Sequence, residues 1–146
     1  MKSSRKSNGA VDKMVLIDSN IWIFSENDNA GEHVRARTIL ERHVNNEFFL
    51  NIITISETFH KLSILVGKEE AHKRVPHIFD NPNATWLDFT ADTMKKALDL
   101  AFKNGIRIND ALIAQQALEL NIPVLTDNVK DFKKVHGLKI IPLREA

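Results

Sequence analysis

Val15-Leu16-Ile17 constrains this chain most, because an unbroken aliphatic run without polar alternation suits a strand buried on both faces. Asp18-Ser19-Asn20 follows at once, and then a second apolar run, Ile21-Trp22-Ile23-Phe24, that reads as a helix with Ser19 or Asn20 as its cap. Asp18 is thereby placed at the carboxyl end of a central strand. In open α/β sheets ligands bind at that edge, where the crevice lies and where helix N-termini present free N–H groups. An acid there attracts a cation or caps the helix.

The segments that follow alternate in kind. Residues 30–46 carry Val34, Ile39, Leu40 and Val44 among Glu32, Arg35, Arg37, Glu41 and Arg42, the pattern of an amphipathic helix with a cationic outer face. Residues 48–53 read as a second strand. Thr54-Ile55-Ser56-Glu57 then opens a helix with Ile55, Phe59, Leu62 and Val66 inward, and Gly67 ends it. Residues 68–79 form a charged helical segment that Pro76 kinks or shortens, followed by a turn at 80–83 and a third strand at 84–89. Residues 90–104 are amphipathic, with Met94, Ala97, Leu98 and Ala101 inward, and Asn104-Gly105 closes them. The helix opened by Ile108-Asn109-Asp110 is apolar nearly all round and is expected to be buried. A fourth strand at 123–126, a short helix at 127–135 and a last strand at 138–141 near the sheet edge complete the chain. Strands alternating with helices, with no repeat and no second core, predict one α/β domain around a mainly parallel sheet over residues 14–146.

Composition narrows the chemistry. A chain of 146 residues, 43% hydrophobic, is large enough for one full core. The absence of cysteine removes disulfides, thiolate nucleophiles and zinc–thiolate sites, so any metal must be held by oxygen or imidazole. Residues 1–13 are Ser/Lys/Arg/Asn rich and read as a flexible basic arm rather than a signal peptide. No apolar run approaches the roughly 18 residues of a membrane span. A soluble protein of the cytoplasm is expected. The net charge of +1 neither demands nor excludes a nucleic-acid partner, so local basic patches must decide.

Five acids stand where such a sheet would gather them. Asp18 follows the first strand, Glu57 begins the helix after the second, Asp110 begins the buried helix, and Asp127 follows the fourth strand with Asp131 one turn on. Each has a structural explanation as well: Thr54 to Glu57 fits a capping box, Asn109 and Asp127 fit caps, and an acid in a first turn is favoured by the helix dipole. Convergence tips the balance, because carboxylates crowded on one edge repel unless protons or a multivalent cation neutralise them. With oxygen ligands only, that cation is Mg²⁺ or Mn²⁺.

Asp18-Ser19-Asn20, Glu57, the block Asn109-Asp110-Ala111-Leu112-Ile113-Ala114, and Thr126-Asp127-Asn128 running to Lys130-Asp131-Phe132 resemble, in order and spacing, the PIN-domain family. Within it the chain is most similar to the VapC-type toxin ribonucleases of prokaryotic VapBC toxin–antitoxin pairs, over residues 14–143. The resemblance implies an α/β/α sandwich, an acidic Mg²⁺/Mn²⁺ pocket, hydrolysis of RNA phosphodiester bonds, a homodimer and an antitoxin partner. It also marks a departure, since Asn128 stands where many members carry an acid, leaving Asp127 or Asp131 as the fourth. The expected roles follow. Asp18 and Asp110 are direct ligands, and Glu57 with Asp127 or Asp131 binds a second ion or holds its waters. Ser19, Asn20, Thr126 and Asn128 orient these groups from behind. Flanking phosphates need cations, for which Arg35, Arg37, Arg42, Lys68, Lys73 and Arg74 are candidates, although each also reads as part of a solvated face.

Other classes fit less well. Glu57 with His60 and Glu69 with His72 have the Glu-x-x-His spacing of di-iron bundles, but that architecture needs four long helices and no buried strands. Haloacid-dehalogenase phosphatases share only the first Asp of Asp18-Ser19-Asn20, and no Gly-rich phosphate loop supports an NTPase. Trp22, Phe24, Phe48, Phe49 and Phe59 lie in apolar runs and read as core rather than as base-stacking platforms. Two alternatives keep the fold: a nuclease of RNA maturation, and a non-catalytic scaffold that binds RNA or protein. Retention of Asp18, Glu57 and Asp110 favours the enzyme.

Overall fold

The computed structural model describes residues 14–42 and 47–146. The expected basic arm at 1–13 and the end of the expected helix at 43–46, Val44 included, lie outside the described residues, as does the Arg42 side chain. Along the chain run β1 (Met14–Ile17), α1 (Ser19–Glu26), α2 (His33–Arg42), β2 (Glu47–Asn51), α3 (Ile52–Val66), α4 (Lys68–Arg74), α5 (Pro76–Phe79) and β3 (Ala84–Leu87). Then follow α6 (Ala91–Asn104), α7 (Ile108–Leu120), β4 (Val124–Thr126), α8 (Val129–Phe132), β5 (Ile140–Pro142) and a closing 3₁₀ turn, Leu143–Glu145.

The five strands form one sheet in the order β3-β2-β1-β4-β5, every neighbouring pair parallel. The pleat sends alternate side chains to opposite faces. Val15 and Ile17 of β1, Phe48 and Leu50 of β2 and Leu125 of β4 enter one core, with Ile21, Trp22, Ile39, Leu62, Ala71 and Ile78 from α1 to α5. Leu16, Phe49 and Val124 enter the other, with Ala97, Leu112, Ile113, Ala117 and Phe132 from α6 to α8. This is the expected three-layer α/β/α sandwich. Strand order turns back at β1, with β2 and β3 on one side and β4 and β5 on the other, so the switch point lies between the ends of β1 and β4.

Several local expectations shift. Asp18, not Ser19 or Asn20, caps α1, because β1 runs into the helix without a loop. Asn51, the last residue of β2, caps α3 in the same way, accepting from the Thr54 N–H at 2.9 Å, so the helix starts before the expected capping box. Glu57 consequently lies in the second turn of α3 rather than at its start. Arg107 occupies the cap position of α7, where Asn109 was expected, and Asn128 rather than Asp127 precedes α8. The inward stripes also need amending: Val34, Phe59 and Leu98 are exposed. Among the described residues no helix is long and apolar enough to cross a membrane.

Candidate metal centre at the carboxyl edge of the sheet

Asp18 is held from three sides. Its Oδ1 accepts the Ser19 backbone N–H at 2.7 Å, while Oδ2 accepts the Thr126 hydroxyl at 2.7 Å and the Asn20 amide at 3.1 Å. Thr126 ends β4 and is fully buried, so the switch point itself fixes the carboxylate. Glu57 reaches in from α3, where its Oε1 accepts the Ser19 hydroxyl at 2.6 Å. Asp110 projects from the first turn of α7; its Oδ2 accepts the Asn128 amide at 3.4 Å. Asp18, Asp110 and Glu57 are 2%, 1% and 8% exposed. Each offers one oxygen to a group whose members all lie within 4.8 Å of one another.

Two cations face this group. Arg107 Nη2 stands 2.8 Å from Glu57 Oε2 and 3.4 Å from Asp110 Oδ1, and Lys61 Nζ lies 3.7 Å from Glu57 Oε2. They do not neutralise the three acids equally. Burial pushes Asp18 up to about 6, against the pull of its Thr126 and Ser19 hydrogen bonds, and the neighbouring carboxylates Asp110 and Glu57 push the same way. Burial likewise raises Asp110, outweighing Arg107. Burial works to raise Glu57 too, but the Ser19 hydroxyl, Lys61 and Arg107 together hold it below the usual carboxylate range. The centre is therefore short of positive charge at its buried end.

The remaining acids stand apart from these three. Asp131 is bonded by the Asn128 amide at 3.1 Å and paired with Lys134 at 3.5 Å; the Asn128 bond holds its pKa low. Asn128 thus bridges Asp110 to Asp131, and the charge of Asp131 is felt at Asp110. Asp127 contributes its backbone N–H to Asn20 Oδ1 at 3.2 Å, and its carboxylate is outside the group of three. The expected supporting residues Ser19, Asn20, Thr126 and Asn128 all touch the acids.

The expected basic residues are placed elsewhere. Arg37 and Arg74 belong to a polar cluster at the far end of α1, where they pair with Glu26, Glu41, Glu70 and Asp28. Arg35 donates to the Arg144 carbonyl at 3.0 Å, and Lys68 and Lys73 are exposed on α4. The cations that do meet the acids, Lys61 and Arg107, were not among those foreseen. Helical spacing could have found them: Lys61 is four residues after Glu57, and Arg107 three before Asp110.

Three carboxylates from three separate elements, buried and backed by hydroxyl and amide donors, suit a hard divalent cation with oxygen ligands. The donor set holds neither sulfur nor imidazole, so Mg²⁺ or Mn²⁺ fits it and a soft metal does not.

The PIN domain model matches residues 15–138, and the chain belongs to that family. A search of the curated proteins found no match. Among solved structures, the chain is similar to VapC20 of Mycobacterium tuberculosis, described as a sarcin–ricin-loop-cleaving toxin, with a TM-score of 0.72 at 13% identity, covering 88% of this chain and 99% of that one. It is similar to the DNA-bound VapBC of Salmonella typhimurium, with a TM-score of 0.68 at 20% identity, covering 90% and 98%. VapBC2 of Rickettsia felis, bound to a promoter DNA fragment, gives 0.65 at 23% identity, covering 87% and 96%. At these identities the likeness is one of fold.

Proposed function

We propose that this PIN domain is a metal-dependent endoribonuclease, the toxin of a type II toxin–antitoxin pair. The observation that carries the reading is the meeting of Asp18, Glu57 and Asp110 at the sheet's switch point, buried and within 4.8 Å of one another. A Mg²⁺ or Mn²⁺ ion held by these carboxylates would supply the positive charge that phosphodiester hydrolysis needs and make water a better nucleophile. The protein does the positioning. Ser19 and Thr126 fix Glu57 and Asp18 by short hydroxyl bonds, so the acids are set before an ion arrives. Asn128 orients Asp110 and ties it to Asp131, which we take as the outer acid in preference to Asp127. Of the three, Glu57 is held below its ordinary range and keeps its charge to attract the ion, while Asp18, pushed up to about 6, is the one that acid would neutralise.

An antitoxin and a second copy are proposed partners, as the VapBC complexes of similar fold suggest. Exposed Ile64 and Leu65, at the end of α3, supply apolar surface suited to such contacts.

The test is cleavage of a mixed-sequence RNA by the purified chain with Mg²⁺, with Mn²⁺ and with EDTA, beside Asp110→Asn prepared identically. Metal-dependent cutting that vanishes in the variant is the expected result. Retained RNA binding with no cutting under any condition would replace the enzyme by a scaffold.

A further inference from the structure

Arg107 holds an unusual place among the charged side chains of the chain. Its two bonds to the acid group both run through one nitrogen, Nη2, at 2.8 Å to Glu57 Oε2 and 3.4 Å to Asp110 Oδ1. Those carboxylates are almost wholly covered, whereas the Arg107 side chain is 55% exposed. The guanidinium therefore lies on the solvent side of the two carboxylates. Its backbone lies in the link between α6 and α7, after Gly105 has turned the chain through the left-handed region at φ 65°. Arg107 is extended at φ −67° and ψ 149° and makes no side-chain capping bond, so its side chain can swing out without unwinding α7.

The two oxygens it contacts come from two of the three carboxylates that would bind a metal. A divalent cation and a guanidinium within a few ångströms repel each other, and both claim those carboxylate charges. Carboxylates that held a metal would hold Arg107 less firmly. Released, the exposed side chain would remain on the solvent side of the acids, the side from which a strand would bring its phosphate. A planar guanidinium matches the oxygens of a phosphate in pairs, which a lysine cannot reproduce.

We propose that Arg107 is a two-position arginine: it closes the acid cluster while no metal is present and, displaced by the metal, grips the phosphate of the strand to be cut. The proposal rests on the metal-nuclease reading of the site and adds to it a positioning residue that also competes with the metal.

The test uses the full chain and Arg107→Gln and Arg107→Lys, with folding checked by circular dichroism. Mn²⁺ binding, followed by electron paramagnetic resonance, is expected to be about tenfold tighter in Arg107→Gln than in the wild type, the scale of one lost charged hydrogen bond, with Arg107→Lys between. Adenosine 5′-monophosphate titrated into the Mn²⁺-saturated proteins is expected to bind about tenfold more weakly to Arg107→Gln. Opposite signs in the two titrations are the signature of an exchanged cation. Mn²⁺ affinity unchanged or reduced in Arg107→Gln would make Arg107 a fixed support of Glu57, and unchanged nucleotide affinity would mean that it never meets phosphate; either overturns the proposal alone. Failure of the wild type and both variants to bind Mn²⁺ would overturn the metal reading and the proposal with it.

Discussion

The Thr126 hydroxyl donates a 2.7 Å hydrogen bond to Asp18 Oδ2, joining the ends of β4 and β1 across 108 residues of sequence. Thr126 Oγ1 in turn accepts the Asn128 backbone N–H at 2.8 Å, so one buried hydroxyl sets an acid and the loop leading to α8. Thr126→Val keeps the shape and removes both functions. It is expected to cost about 1–3 kcal/mol, the penalty for leaving buried polar groups unsatisfied, read from urea unfolding of the metal-free chain at neutral pH. A loss well under that range would mean that water replaces the hydroxyl.

Acidity should act on the metal-free chain in an unusual direction. Asp18 takes up its proton near pH 6 in the folded chain, against 3.8 ordinarily, so between those values the folded state binds more protons than the unfolded. Stability in EDTA therefore rises as pH falls through that window, with Asp110 shifted in the same sense. Glu57 is shifted the other way; its contribution is present above its ordinary 4.5 and disappears as pH falls through its lower folded value, ending the gain. Scanning calorimetry across that range should show a maximum on the acid side of neutrality. Asp18→Asn is the control: the rise should shrink when that carboxylate is removed.

Asp110→Asn separates charge from shape. Cleavage should fall by at least about a hundredfold, since an amide cannot replace a ligand carboxylate. The metal-free melting temperature should hold or rise, because burial already disfavours the Asp110 charge. A variant that melts lower and still cuts RNA would count against the assignment of this residue.

Asn128 offers the converse change. Its amide donates to Asp110 at 3.4 Å and Asp131 at 3.1 Å, and Asn128→Asp would set three carboxylates side by side with no donor between them. The metal-free protein should melt lower, and Mn²⁺ should raise its melting temperature by more than it raises the wild type's. An equal Mn²⁺ increment in both proteins would show that position 128 does not face the ion.

The sheet was legible in the sequence because its strands are short apolar runs bounded by polar residues, and Val15-Leu16-Ile17 did become the central, fully buried strand. Acids at strand ends were legible for the same reason, since strand direction alone sends Asp18 and Thr126 to one edge. Helix starts were harder. Asn51 and Asp18 cap their helices from within the strand end, leaving no loop for a pattern to mark, and Glu57 moved inward by a turn as a result. Stripes of apolar residues misled at Leu98 and Phe59, where helical periodicity continues past the width of the buried face. The cations were the least legible: partly exposed arginines on α2 and α4 pair with local acids, whereas Lys61 and Arg107 stand at helical spacing from Glu57 and Asp110, and only the tertiary bond from Arg107 to Glu57 lies beyond a local pattern.

The pairing of β1 with β4 has a bearing on how the protein comes into being. A chain emerging from the ribosome presents Asp18 and then Glu57 early, but Thr126 trails Asp18 by 108 residues. At common synthesis rates that interval lasts roughly 5–20 s. Throughout it β1 lacks one neighbour, the Asp18 carboxylate lacks its hydroxyl partner, and Asp110 is absent or not yet docked. The acid cluster is thus completed only once β4 has been made and has paired with β1, so the site assembles late in synthesis although its first acid is made early.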